Sequence, residues 1–146
     1  MFKTIVWATD MSPSAEAAGV LASDMASAMG ARLIVIHVTE VALGHAGAAV
    51  NPDEEQIGAA LQRTLEDLRR RGIDSQPAAA RHPVGSGAVA QQIVDLASSA
   101  GAEILIVGTR GRGPVAGLLL GSVALRLLHA APCPILVVPE HRTGDR

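Results

Sequence analysis

The chain has 146 residues, 49% of them apolar and 18% charged, with a formal net charge of −2. That length and apolar fraction suit one domain with a full core, and one Trp, one Phe and no Tyr on a slightly acidic chain argue against the basic face and stacking aromatics of a nucleic-acid binder. No apolar run approaches the ~18 residues of a membrane span, MFKTIVWATD lacks the regions of a signal peptide, and the lone Cys133 cannot close an internal disulfide, so a cytoplasmic protein without membrane partners is expected.

In chain order, the first element is the apolar run TIVWAT (4–9). Ser12-Pro13 then reads as an N-cap followed by proline at the first helical position. Ala15, Ala18, Ala22, Met25, Ala26 and Met29 repeat with helical spacing, and Gly30 stops the helix. RLIVIHV (32–38) is a second strand. The Ala- and Gly-rich stretch from Thr39 to Val50 is expected as a loop. Asn51-Pro52 is expected to open a second helix, with Asp53, Glu54 and Glu55 in its first turn and Arg69, Arg70 and Arg71 in its last, the charge order that suits the helix dipole. Its apolar stripe is Ile57, Leu61, Leu65 and Leu68. IDSQPAAARH (73–82) is a weaker third strand, and Pro77 confines it to a sheet edge or a bulge. Ser86 is expected to cap a third helix carrying Val89, Ile93, Leu96 and Ala100. EILIVG (103–108), a helix from about Ser122 carrying Val123, Leu127 and Leu128, and PILVVP (134–139) complete the chain.

The strong strands are continuous apolar runs rich in β-branched residues, as strands buried on both faces are. Strict strand–helix alternation predicts an α/β fold, an open five-stranded parallel sheet with helices on both faces. No repeat, low-complexity tract or linker divides it, so residues 1–140 are expected to form a single domain and 141–146 a frayed tail.

Residues 108–122 read GTRGRGPVAGLLLGS, with five glycines. The stretch leaves the carboxyl end of a buried strand and ends on Gly121-Ser122 at the start of a helix. Ligands of open α/β sheets bind at such ends, where the strand order reverses. Bare glycine backbone lets amides approach phosphate oxygens, and a helix N-terminus favours an anion. Ser122 adds a hydroxyl, and Arg110 and Arg112 add charge. Turns alone also call for glycine, so the pattern favours phosphate without deciding for it. The Walker A motif is excluded, since the sole lysine is Lys3, and the dinucleotide fingerprint fails because the first strand is followed by ATDMSPS, without glycine.

The spacing Gly108-x2-Gly111-x9-Gly121-Ser122 resembles the nucleotide-binding motif of the universal stress protein family. TIVWATDMSPSAEAA resembles that family's first strand, its Asp and the start of its first helix, LIVIHV its second strand, and LLLGSVALRLLHAAPCPILVVP its last helix and strand. The resemblance implies an adenine-nucleotide alpha hydrolase-like fold with strand order 3-2-1-4-5, and ATP as ligand, with or without Mg²⁺ on its phosphates. Carried over by position, Ala8, Thr9 and Asp10 line the nucleoside, with Asp10 accepting from ribose or base. Val38 presents backbone to the adenine edge, and Val107 and Gly108 pack near the ribose. Gly111, Gly121, Ser122 and Val123 hold the phosphates, with Arg110 beside them. The resemblance also implies a homodimer through Ile135, Leu136, Val137, Val138 and Pro139. Two departures stand out: Trp7 is bulky, either a core residue or one that narrows the pocket, and Gly113-Pro114 is extra.

A receiver domain also places Asp after its first strand, but a second acidic residue and a Lys after the last strand are missing. A flavin site would want aromatics. The five histidines show no i, i+4 pair, so no metal site is expected. His37 reads as a core or sheet-end residue and Cys133 as a small apolar filler. The function expected is a dimeric stress-response binding or signalling module with an adenine nucleotide as partner. The alternatives are a slow ATPase, an AMP or cyclic-nucleotide binder, and a dimeric interaction protein with an unused site. No catalytic residue is assigned, since Asp10 is the sole candidate base and it belongs to the nucleoside end.

Overall fold

A computed structural model describes residues 1–44, 47–50, 52–83, 86–110 and 120–140. Its elements are β1 (Thr4–Ala8), α1 (Pro13–Met29), β2 (Arg32–Gly44), β3 (Gly47–Val50), α2 (Glu54–Arg70), β4 (Ser75–Pro83), α3 (Ser86–Ser99), β5 (Ile104–Gly108), α4 (Ser122–Ala130) and β6 (Ile135–Val138). Five strands run parallel in the order β4-β2-β1-β5-β6. This is the expected order 3-2-1-4-5 once the additional strand β3 is counted. Pro77 does lie on an edge strand, opposite Val35 of β2.

The period of two along each strand divides the core between the two faces. Ile5, Trp7, Leu33, Val35, Ile104 and Ile106 face α1 and α2, together with Ala18, Ala22, Ala26, Leu65 and Leu68. Val6, Ala8, Ile34, Ile36, Val38, Leu105 and Val107 face α3 and α4, with Val89, Ile93, Ala97 and Leu127. The alanine face of α1 lets that helix lie close to the sheet. Trp7 belongs to this side: it is 2% exposed, and its indole N–H donates to the Ala15 carbonyl at 2.9 Å. It is a core residue and is not among the described residues that line the cavity at the strand ends. Gly30 ends α1 with φ 60°, and the Ala31 N–H returns to the Ala26 carbonyl at 2.9 Å, a Schellman closure.

Three expectations need correction. The stretch from Thr39 to Val50 is not a loop. β2 continues to Gly44, and Val41, Ala42, Leu43 and Gly44 pair antiparallel with Val50, Ala49, Ala48 and Gly47. Alanine and glycine have low strand propensity and hid this hairpin. Gly47 at φ 112° adopts a backbone that side-chain-bearing residues avoid. Val41 is partnered by Val50 and also by Pro83, so β3 and β4 flank β2 on opposite edges. α2 starts later than Asn51-Pro52 implies, with Asp53 at its N-cap. In α4, Leu127 is buried but Leu128 is 47% exposed, so the apolar stripe is narrower than expected.

At the amino ends of the strands, the Glu103 carboxylate accepts from the Lys3 and Thr4 amides, which holds its pKa below the usual carboxylate value. Cys133 packs against the core on the α3/α4 side, and burial raises its thiol pKa. The tail 141–146 lies outside the described residues.

Candidate functional site

β1 sits between β2 and β5, and the chain winds to opposite sides from these two neighbours. The carboxyl ends of β1 and β5 therefore border the crevice where strand order reverses. A cavity of about 260 Å³ opens there. Its walls bring together Ala8, Thr9 and Asp10 from the β1 exit, Val38 from β2, Val107, Gly108 and Arg110 from the β5 exit, and Gly121, Ser122 and Val123 from the start of α4. These are the residues expected from the sequence. Gly111 falls outside the described residues, as do Arg112 and Gly113-Pro114.

Local hydrogen bonds shape the β1 exit. The Met11 amide donates to Thr9 Oγ1 and the Ser12 amide to Asp10 Oδ1, both at 2.9 Å. Two such side-chain turns in succession wind the chain tightly, and Met11 takes φ 59° as a result. On the face opposite the cavity, His37 Nδ1 lies 2.9 Å from the Thr9 carbonyl and Nε2 lies 2.9 Å from Glu54 Oε2. A carbonyl only accepts, so Nδ1 carries a hydrogen. Thr39 Oγ1 donates to the same Glu54 oxygen at 3.3 Å. His37 is thus a buried sheet-end residue that ties the first turn of α2 to the β1 exit.

The β5 exit is clamped to α1. Ser12 sits at the N-cap position of α1 but does not cap it with its side chain. Its hydroxyl instead donates to the Arg110 carbonyl at 3.2 Å. Ser14 Oγ donates to the same carbonyl at 2.7 Å and accepts from the Arg110 amide at 3.2 Å. A Cβ on Gly108 would stand 2.5 Å from Ser14 Oγ and 2.6 Å from the Ala15 nitrogen. Gly108 is glycine because the first turn of α1 lies directly against it.

The α4 end is built differently. The Gly121 amide donates to the Thr109 carbonyl at 2.6 Å, which ties the start of α4 to the β5 exit, and the Gly121 carbonyl accepts from Leu125 at 3.0 Å. The first-turn amides of Ser122, Val123 and Ala124 precede the helix's own acceptors. All three residues line the cavity, so the positive end of α4 faces it.

With this geometry in place, comparison with known proteins is decisive for the family. The model of the universal stress protein family matches residues 1–139. The chain belongs to that family. A universal stress protein of Thermus aquaticus is 34% identical over 142 residues, covering 94% of this chain and 99% of its own. A solved universal stress protein in complex with cAMP is 25% identical with a TM-score of 0.66, covering 96% of this chain and 98% of that one. The Archaeoglobus fulgidus universal stress protein in complex with dAMP is 22% identical with a TM-score of 0.63, covering 94% and 98%.

This universal stress protein also shows cavity residues that the sequence reading left unassigned to the site. Ile36, Val89, Ile93 and Leu127 supply apolar walls, and Glu40 adds a carboxylate. Val89, Ile93 and Leu127 were legible as the apolar stripes of two helices, but not as walls of a pocket. Glu40 follows Val38 by two residues and so shares its face of β2. Extending the strand past Val38 is the signal that identifies it.

Proposed function

We propose that this universal stress protein binds an adenine nucleotide, ATP in the first instance, and works as a dimeric binding or signalling module. The observation that carries this reading is the cavity at the strand reversal, whose apolar walls lead to the open N-terminal amides of α4. A flat base fits against Ile36, Val38, Val89 and Ile93. Phosphates fit the amides of Ser122, Val123 and Ala124, the Ser122 hydroxyl and the Arg110 side chain. The Gly121 amide, taken by Thr109, contributes no such bond. Relatives solved with cAMP and dAMP support an adenine nucleotide as the ligand class. Mg²⁺, where it takes part, is carried by the phosphates, with the Ser122 hydroxyl as an oxygen ligand at that end.

Calorimetric titration of ATP, AMP and cAMP into nucleotide-stripped protein tests the reading. ATP is expected to bind with Kd below about 1 mM. Gly121 has φ −71° and ψ 163°, which valine adopts without strain. Gly121→Val therefore keeps the backbone and sets a branched side chain at the phosphate end, with an expected loss of about tenfold or more. Ser122→Ala removes one hydroxyl and is expected to cost about three- to tenfold. No binding of any of the three nucleotides by the unsubstituted protein overturns the proposal.

The dimer rests on β6. The Leu105 amide bonds the Pro134 carbonyl and the Thr109 amide the Val138 carbonyl, both at 2.9 Å. By strand alternation the peptide groups of Ile135 and Val137 then face outward, away from β5. All four β6 residues are half-buried and apolar, an edge suited to pairing with its own copy beside Pro139. A dimer is expected in sedimentation at micromolar concentration. Val137→Pro deletes one outward amide at a position where an edge strand tolerates proline, and a folded monomer by sedimentation and circular dichroism is the expected result. A dimer unaffected by this change places the interface elsewhere.

A further inference from the structure

We propose that Glu40 reads the base: its carboxylate selects a purine bearing an amino group at C6 over one bearing an oxo group. The proposal rests on the nucleotide reading above and deepens it. The two ends of the cavity differ in the sign of charge they favour, which sets how a nucleotide lies between its apolar walls. One end holds the α4 amides and Arg110, and it favours negative charge. Asp10 and Glu40 stand on the side of β1 and β2, and they repel it. β2 lies two strand spacings from β5, roughly 10 Å, so a ligand with its phosphate at α4 ends near β2.

At that end the two carboxylates differ. Asp10 Oδ1 already accepts from the Ser12 amide. Glu40 stands at the exposed rim, one step further out than Val38 on the same face of β2 and on the same wall as Ile36. Val38, Val89 and Ile93 offer the faces of the base apolar contact. Glu40 offers its edge an acceptor with no donor. An exocyclic amine satisfies that acceptor. A carbonyl oxygen in the same place sets lone pairs against a carboxylate, which costs more than a missing bond because the base also strips water from the rim.

AMP and IMP differ at C6 and in the proton on N1, so titrating both into unsubstituted protein, Glu40→Gln and Glu40→Ala tests the proposal. The unsubstituted protein is expected to favour AMP by about tenfold or more, as a charge-assisted hydrogen bond at a partly exposed site allows. A glutamine amide can turn to donate or to accept, so Glu40→Gln brings the ratio towards one. Glu40→Ala weakens AMP by the lost hydrogen bond and strengthens IMP by the lost repulsion, so the preference disappears. Equal affinity for the two ligands in unsubstituted protein, or a preference that survives in both variants, overturns the role of Glu40 while leaving nucleotide binding intact. Failure of both AMP and IMP to bind unsubstituted protein, with ATP also silent, overturns both readings.

Discussion

Gly108→Ala is expected to destabilise the protein and to weaken nucleotide binding together. The added methyl would lie 2.5 Å from Ser14 Oγ, 2.6 Å from the Ala15 nitrogen and 2.6 Å from the Ser14 carbonyl carbon. Two of these three atoms are backbone, so no rotamer change relieves the contact, and α1 must move off β5. Overpacking of this kind costs about 1–3 kcal/mol, or on the order of 5–10 °C in melting temperature for a chain of this length. The move also pulls Ser12 and Ser14 away from Arg110, whose three hydrogen bonds to them anchor the β5 exit to α1. Ser14→Ala removes two of those bonds without a clash and is expected to cost about 1–2 kcal/mol. Trimming Ser14 does not rescue Gly108→Ala, because the backbone contacts remain. Equal melting curves for Gly108→Ala and unsubstituted protein would mean that α1 does not sit where the structure puts it.

The same position shows how far a sequence can be read. Gly108 belongs to a motif whose spacing points to a phosphate loop, and the residue does line the cavity. Its lack of a side chain is nonetheless required by helix packing, a fact carried by Ser14 and Ala15, far away in sequence. The parallel sheet was legible because continuous apolar runs alternate with amphipathic stretches, a local signal. β3 was not, because Ala48 and Ala49 carry little strand preference and are held by pairing with Leu43 and Ala42. Glu40 went unassigned for the same reason: ending β2 at Val38 took it off the strand face that points into the cavity. The Ser12 hydroxyl illustrates the remaining limit. Ser-Pro correctly marks the start of α1, yet the side chain bonds across the fold to Arg110, and no local pattern reports a partner 98 residues away.

Gly19→Ala is expected to reverse the usual sign of a helix substitution. Within a helix, alanine is better than glycine by about 1 kcal/mol, and Gly19 lies in the middle of α1. There a Cβ would stand 2.4 Å from Trp7 Cζ2 and 2.7 Å from Cη2. The indole cannot swing aside, since it is buried and its N–H is held by the Ala15 carbonyl. The clash outweighs the propensity, and a net loss of about 1–3 kcal/mol is expected. All three nearest atoms belong to the Trp7 side chain, unlike those around Gly108, so this clash is removable. Trp7→Leu alone opens a cavity and frees the Ala15 carbonyl, at a cost of about 2–4 kcal/mol, somewhat below complete truncation. In that background the methyl of Gly19→Ala enters vacated space, and the substitution becomes stabilising by about 1 kcal/mol. Urea melts of the two single variants and the double variant measure the coupling, expected at about 2–4 kcal/mol from these two figures. Additive costs would show that Gly19 and Trp7 do not touch, and that some other contact decides how closely α1 lies on the sheet.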